Sequence, residues 1–168
     1  LKRSWIADGE LAAWIERGVR GITSNPTIFQ KAIESGEGYD EQFAHLVAQG
    51  RSIPDCYWEL VTSDIRDALA LLRPTFDASD GVDGFVSVEV APDLAGDTDG
   101  TIRAARLLSE TIDEPNLYVK IPGTAAGLPA IRQMISEGRS VNVTLLFSTR
   151  RYGEVIDAYL EGLEAREG

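Results

Sequence analysis

A lysine stands in the middle of the apolar run "LYVKI", residues 117–121. Taking an ammonium group out of water costs several kcal/mol unless something compensates. Lys120 therefore either leans out to solvent or has a chemical task. Burial of an amine disfavours its charged form, and the neutral amine is a nucleophile that adds to a carbonyl to form a Schiff base. The resulting iminium accepts electrons, so a neighbouring C–C bond can break. Polar residues interrupt three other apolar runs in the same way: Thr23 and Asn25 in "GITSN", Ser87 and Glu89 in "GFVSVEV", Asn142 and Thr144 in "VNVTLLF". A carboxylate such as Glu89 could move protons, directly or through a water positioned by Thr144, and the amides of Asn25 and Asn142 could hold sugar hydroxyls.

Those four runs read as strands alternating with helices. Trp5, Leu11, Trp14 and Ile15 predict one short amphipathic helix over 4–17, closed by Gly18. A strand follows at 21–25, and Pro26 opens the next helix. Residues 38–73 carry Trp58, Val61, Ile65, Ala68 and Leu72 on one helix face and predict a helical insertion. Strands at 84–90, 117–121 and 141–147 are each followed by a helix, the last opening at Ser148 with Tyr152, Val155, Ile156, Tyr159, Leu160 and Leu163 in register. No tandem repeat or linker divides the chain, which favours one domain over residues 1–168.

Strands separated by helices pair in parallel through right-handed crossovers. Alternation then sorts the side chains. Val86, Val88 and Val90 share one face while Ser87 and Glu89 share the other; Val119 and Ile121 oppose Lys120; Val143 and Leu145 oppose Asn142 and Thr144. One face is apolar and the other turns polar toward the carboxyl end. That pattern fits a (β/α) barrel, whose active site lies at the carboxyl-terminal mouth, better than a sheet buried on both faces.

Each residue also has an ordinary structural reading. A strand lysine can snorkel from an edge, Glu89 can cap a loop or pair with an arginine, and Asn25 before Pro26 can cap a helix. Thr144 and Asn142 can satisfy one another, and Arg150 and Arg151 suit a solvated helix face. The shared face and shared strand end are what favour a joint site. Composition narrows the chemistry further. With 168 residues, 43% hydrophobic and a net charge of −11, the chain suits a globular domain and lacks a basic footprint for nucleic acid. No apolar run is long enough to span a membrane. Cys56 is the single cysteine and His45 the single histidine. They make a poor zinc site, and the lone thiol suits a reducing, cytoplasmic setting.

"GITSNPTIFQKAI", "VSVEV", "LYVKIPGT" and "SVNVTLLFS" resemble, in order, successive strand motifs of the transaldolases, in their bacterial, actinobacterial-like branch. The resemblance implies a (β/α)8 TIM barrel of the class I aldolase type, of which these residues match strands two to five. It implies transfer of a dihydroxyacetone unit between sugar phosphates in the pentose phosphate pathway, with no metal or organic cofactor. By motif, Lys120 would be the Schiff-base lysine, Glu89 would transfer protons through a water, and Thr144 would hold that water. Asn25 and Asn142 would bind the dihydroxyacetone moiety, with Thr23 and Ser87 lining the site. Gly123 stands where relatives commonly carry alanine, which implies a small change. The family's aspartate on the first strand and the later phosphate-gripping residues have no counterpart in these residues. A partial barrel with weak or no activity of its own is thus expected. Two alternatives stay open: another class I aldolase that releases its fragment, or a non-catalytic half-barrel that associates with a copy of itself through unpaired strand edges.

Overall fold

In the computed structural model, residues 1–36 and 38–167 are described. The chain divides into two compact units, one holding residues 1–86 and 114–116, the other 87–113 and 117 onward.

The first unit contains α1 (Arg3–Ala7), α2 (Glu10–Glu16), β1 (Gly21–Thr23), α3 (Pro26–Glu34), α4 (Asp40–Ala48) and α5 (Ile53–Ala78). The single helix expected over 4–17 is thus two. Gly9 sits at φ 76°, a left-handed conformation that ends one helix and caps the next, although the apolar spacing continues across it. α4 and α5 occupy the stretch after residue 38, and α5 continues through Pro74 to Ala78. Trp58 and Thr62 show why α5 tolerates a hydroxyl in its body: Thr62 Oγ1 donates back to the Trp58 carbonyl at 2.8 Å. The α5 face that carries Leu60, Val61, Ile65, Ala68, Leu69 and Leu72 is buried. Gly84 is required where it stands, because a Cβ there would collide with the backbone of Phe76 and lie 2.8 Å from the Leu72 carbonyl.

Asp64 lies on that buried face and is fully enclosed. Its carboxylate accepts from Arg3 Nε at 2.7 Å and from the Tyr39 hydroxyl at 2.7 Å. Arg3 also donates to the Gly38 carbonyl and to Gln42 Oε1, each at 2.8 Å, and stacks over the Tyr39 ring. A fully paired carboxylate is the form in which a buried charge is tolerated. Burial first, and then the hydrogen bond to Asp64, push the Tyr39 phenol above its ordinary value of 10.0.

The second unit contains α6 (Thr98–Ile112), β3 (Leu117–Pro122), α7 (Gly127–Ser136), β4 (Val141–Thr144) and α8 (Thr149–Glu167). β2 (Phe85–Glu89) gives its first two residues to the first unit and its last three to the second. The strands form one parallel sheet in the order β1-β2-β3-β4, and each is followed in the chain by a helix. Sequential order with no reversal is the singly wound arrangement of a barrel rather than a doubly wound sheet. β3 and β4 pair with Lys120 opposite Asn142 and Pro122 opposite Thr144. β4 stops short of the expected 147, because Leu145 turns to φ 59° and leaves the extended conformation. Ser148 caps α8 as its position predicts, accepting from Arg151 N at 3.2 Å. Arg150 and Arg151 both reach Glu154 from the exposed surface, at 3.0 and 2.8 Å.

Candidate active site

Alternation along β3 has the outcome the sequence anticipates. Val119 and Ile121 are 1% and 0% exposed on one face, and Lys120 on the other is itself only 8% exposed. The lysine does not snorkel. Its Nζ donates to Glu89 Oε2 at 3.0 Å, in a pair whose side chains keep little contact with water. Glu89 closes β2, and Val90 N, the next backbone donor, bonds to the Lys120 carbonyl at 3.3 Å. The backbone thus sets the ammonium and carboxylate side by side.

The neighbouring positions complete a polar face in this unit. Ser87, two residues before Glu89 and 3% exposed, accepts from Asn142 Nδ2 at 3.1 Å. Asn142 is the residue that the strand register sets opposite Lys120. Thr144 stands two residues further along β4, and its buried hydroxyl has no hydrogen-bond partner. An orphaned buried hydroxyl of this kind is a natural seat for a water or a substrate oxygen.

The loops at the carboxyl ends are tied together by residues that sequence reasoning passed over. Thr124 Oγ1 donates to the Ala95 carbonyl and Thr98 Oγ1 to the Ala126 carbonyl, both at 2.7 Å. They join the 3-10 turn Pro92–Gly96, which follows β2, and the first residue of α6 to the loop that follows β3. The available signal was the threonine in "IPGT", a short side chain just past a strand end, where loop-to-loop bonds are made. Gly123 N donates to the Thr144 carbonyl at 2.8 Å. A methyl on Gly123 would stand 2.6 Å from the tip of Leu146 and 3.3 Å from both the Thr144 carbonyl oxygen and Val143 Cγ1, so the space is taken chiefly by a flexible leucine.

Thr23 and Asn25 stand in the first unit. Thr23 ends β1 and is exposed. Asn25 caps α3, its Oδ1 accepting from Thr27 N at 3.0 Å and Ile28 N at 3.3 Å, which is its ordinary structural reading. Among the described residues no group of three or more His, Cys, Asp or Glu side chains could hold a metal ion. Cys56 is buried in α5, and His45 Nε2 lies 2.8 Å from the Gln49 amide nitrogen.

A strand lysine against a carboxylate, flanked by an amide and a buried hydroxyl, is an arrangement for covalent chemistry on a carbonyl. The family described as Transaldolase/Fructose-6-phosphate aldolase matches residues 4–166. The chain belongs to that family. It is 52% identical over 165 residues to Transaldolase 1 of Streptomyces avermitilis, covering 98% of this chain and 44% of that protein. Transaldolases of Acidothermus cellulolyticus and Mycobacterium bovis are 50% and 49% identical over the same share of this chain. The chain therefore spans a little under half the length of these curated relatives, 44% in each of the three. Its α/β fold, with four consecutive parallel βα units, covers part of the family's barrel.

Proposed function

We propose that the protein carrying this chain is a transaldolase that moves a dihydroxyacetone unit between sugar phosphates through a Schiff base on Lys120. The observation that carries the reading is the Lys120–Glu89 pair, 3.0 Å apart and largely out of water. In that pair Glu89 can take a proton from the ammonium group, which frees the amine to add to a ketose carbonyl. The carbinolamine loses water to give the iminium. With Glu89 taking the C4 hydroxyl proton through a water, the C3–C4 bond breaks and its electrons pass into the C2 iminium, which releases an aldose and leaves a bound enamine for the acceptor aldehyde. Glu89 returns protons through a water held on the orphaned hydroxyl of Thr144, and Asn142 and Ser87 bind the dihydroxyacetone hydroxyls. By the motif resemblance, Asn25 and Thr23 of the first unit are also assigned to substrate binding.

Sedoheptulose 7-phosphate with glyceraldehyde 3-phosphate, and erythrose 4-phosphate with fructose 6-phosphate, are the substrate pairs this chemistry takes in the pentose phosphate pathway. A cytoplasmic setting accords with those metabolites; among the described residues no helix is long and apolar enough to cross a membrane. We read residues 1–168 as a part of one barrel domain, with the stretch around 38–73 as its helical insertion. A second reading is a fructose 6-phosphate aldolase that releases the aldehyde, favoured by the family description, which names both activities. Fructose 6-phosphate consumption with and without erythrose 4-phosphate separates them. Turnover that requires the acceptor and vanishes in Lys120→Ala supports transfer; equal turnover without acceptor supports cleavage; turnover retained in Lys120→Ala refutes both.

A further inference from the structure

The amino ends of β3 and β4, at the opposite end of β3 from Pro122 and its loop, border a cavity of about 220 Å³ in the second unit. Gly138, at φ 76°, turns the chain out of α7, and Arg139 follows it toward β4. Arg166, in the last turn of α8, lays its guanidinium over this turn: a Cβ on Gly138 would stand 3.0 Å from Arg166 Cζ. Arg139 and Arg166 thus both line this one cavity, together with Ser140, Tyr118 and Tyr159. Among the described residues no carboxylate lines it.

Other employment for the two arginines is weak. The end of α7 does not need Arg166 as a cap, because the carbonyls of Gln133, Met134 and Ile135 already accept from the N–H groups of Glu137, Arg139 and Gly138 at 3.1, 3.0 and 2.9 Å. Arg139 faces Glu110 at 3.7 Å in a largely solvated pair, which contributes little. The nearby Glu137 carboxylate is hydrogen-bonded by Arg106, and Arg139 adds only a weaker attraction to it. In a chain of net charge −11, two arginines with only weak partners line one hollow and concentrate positive charge there. A guanidinium offers a planar fork of N–H donors that matches two oxygens of one oxyanion.

We propose that this cavity binds a small phosphate-like oxyanion, held by Arg139 and Arg166 with Ser140 donating. It is a site separate from Lys120 and independent of the reaction proposed there. The test follows backbone amides by NMR while the protein is titrated with inorganic phosphate, against sodium chloride at equal ionic strength. Saturable shifts at Gly138, Arg139 and Ser140 are expected, unchanged in Lys120→Ala and about tenfold weaker in Arg166→Gln. Arg166 is exposed, so circular dichroism is expected to show an unaltered fold in that variant. Identical shifts with phosphate and chloride would overturn the proposal. So would full binding in both Arg166→Gln and Arg139→Gln, or shifts confined to the neighbourhood of Lys120.

Discussion

Lys120 and Glu89 hold each other where neither has much water, so their pairing offsets part of the cost of burial. Glu89→Gln keeps the shape but removes the proposed proton acceptor. It is expected to slow turnover by about 10²–10⁴-fold, the usual share of a general acid–base group, read as kcat against wild type. The same change leaves an ammonium group without its counter-charge. It is expected to cost on the order of 2 kcal/mol in urea unfolding, less than the ~3–5 of a fully buried pair because some solvent contact remains. Gly123→Ala is the contrasting case. Leu146 can swing its tip away, and the Thr144 carbonyl and Val143, each 3.3 Å from the new methyl, need yield only slightly, so stability is expected to change by less than about 1 kcal/mol and kcat to be retained, measured by the same two assays. Lys120 was legible in the sequence because alternation alone turns it away from Val119 and Ile121. Its distance to Glu89 was not, since that depends on how β2 and β3 are set in register, which no single strand encodes.

Between elements, the Arg3–Tyr39–Asp64 cluster fastens α1 and the residue before α4 to α5 within the first unit. Tyr39→Phe leaves one carboxylate oxygen of Asp64 without its donor and is expected to cost about 1–3 kcal/mol. The phenol also sets a pH dependence. Because its folded value lies above 10.0, the unfolded chain gives up this proton first as the solution becomes alkaline. Tyr39 therefore stabilises the fold below about pH 10, and that contribution is lost as pH rises further. Chemical unfolding at pH 9 and pH 11 is expected to show the loss in wild type and a smaller loss in Tyr39→Phe. Nothing local announces an ion pair between residues 61 positions apart, but one signal was available. Asp64 sits four residues after Leu60 and four before Ala68, on the apolar face of α5, where a carboxylate needs a partner. The end of β4 was hidden for a different reason: "LLF" continues the apolar run, and only the left-handed turn at Leu145 stops the strand. The break at Gly9 was hidden likewise, because Trp5, Leu11 and Trp14 keep helical spacing across it.

For the molecule as a whole, a net charge of −11 repels polyanions at long range. No mobility shift is expected with duplex DNA at physiological salt; a salt-sensitive shift would show a basic surface that the composition does not suggest. The order of the four strands was legible from the βα alternation, because parallel strands joined by right-handed helical crossovers become neighbours in sequence order. The division into two compact units was not, since apolar periodicity runs evenly through both. The transaldolase reading depends on one covalent event at one residue. The protein is incubated with fructose 6-phosphate, reduced with borohydride, digested and examined by mass spectrometry. A dihydroxyacetone-derived adduct on the peptide bearing Lys120, absent from Lys120→Ala and from unreduced samples, is the predicted result; an intact, folded protein with no adduct at Lys120 would contradict the account.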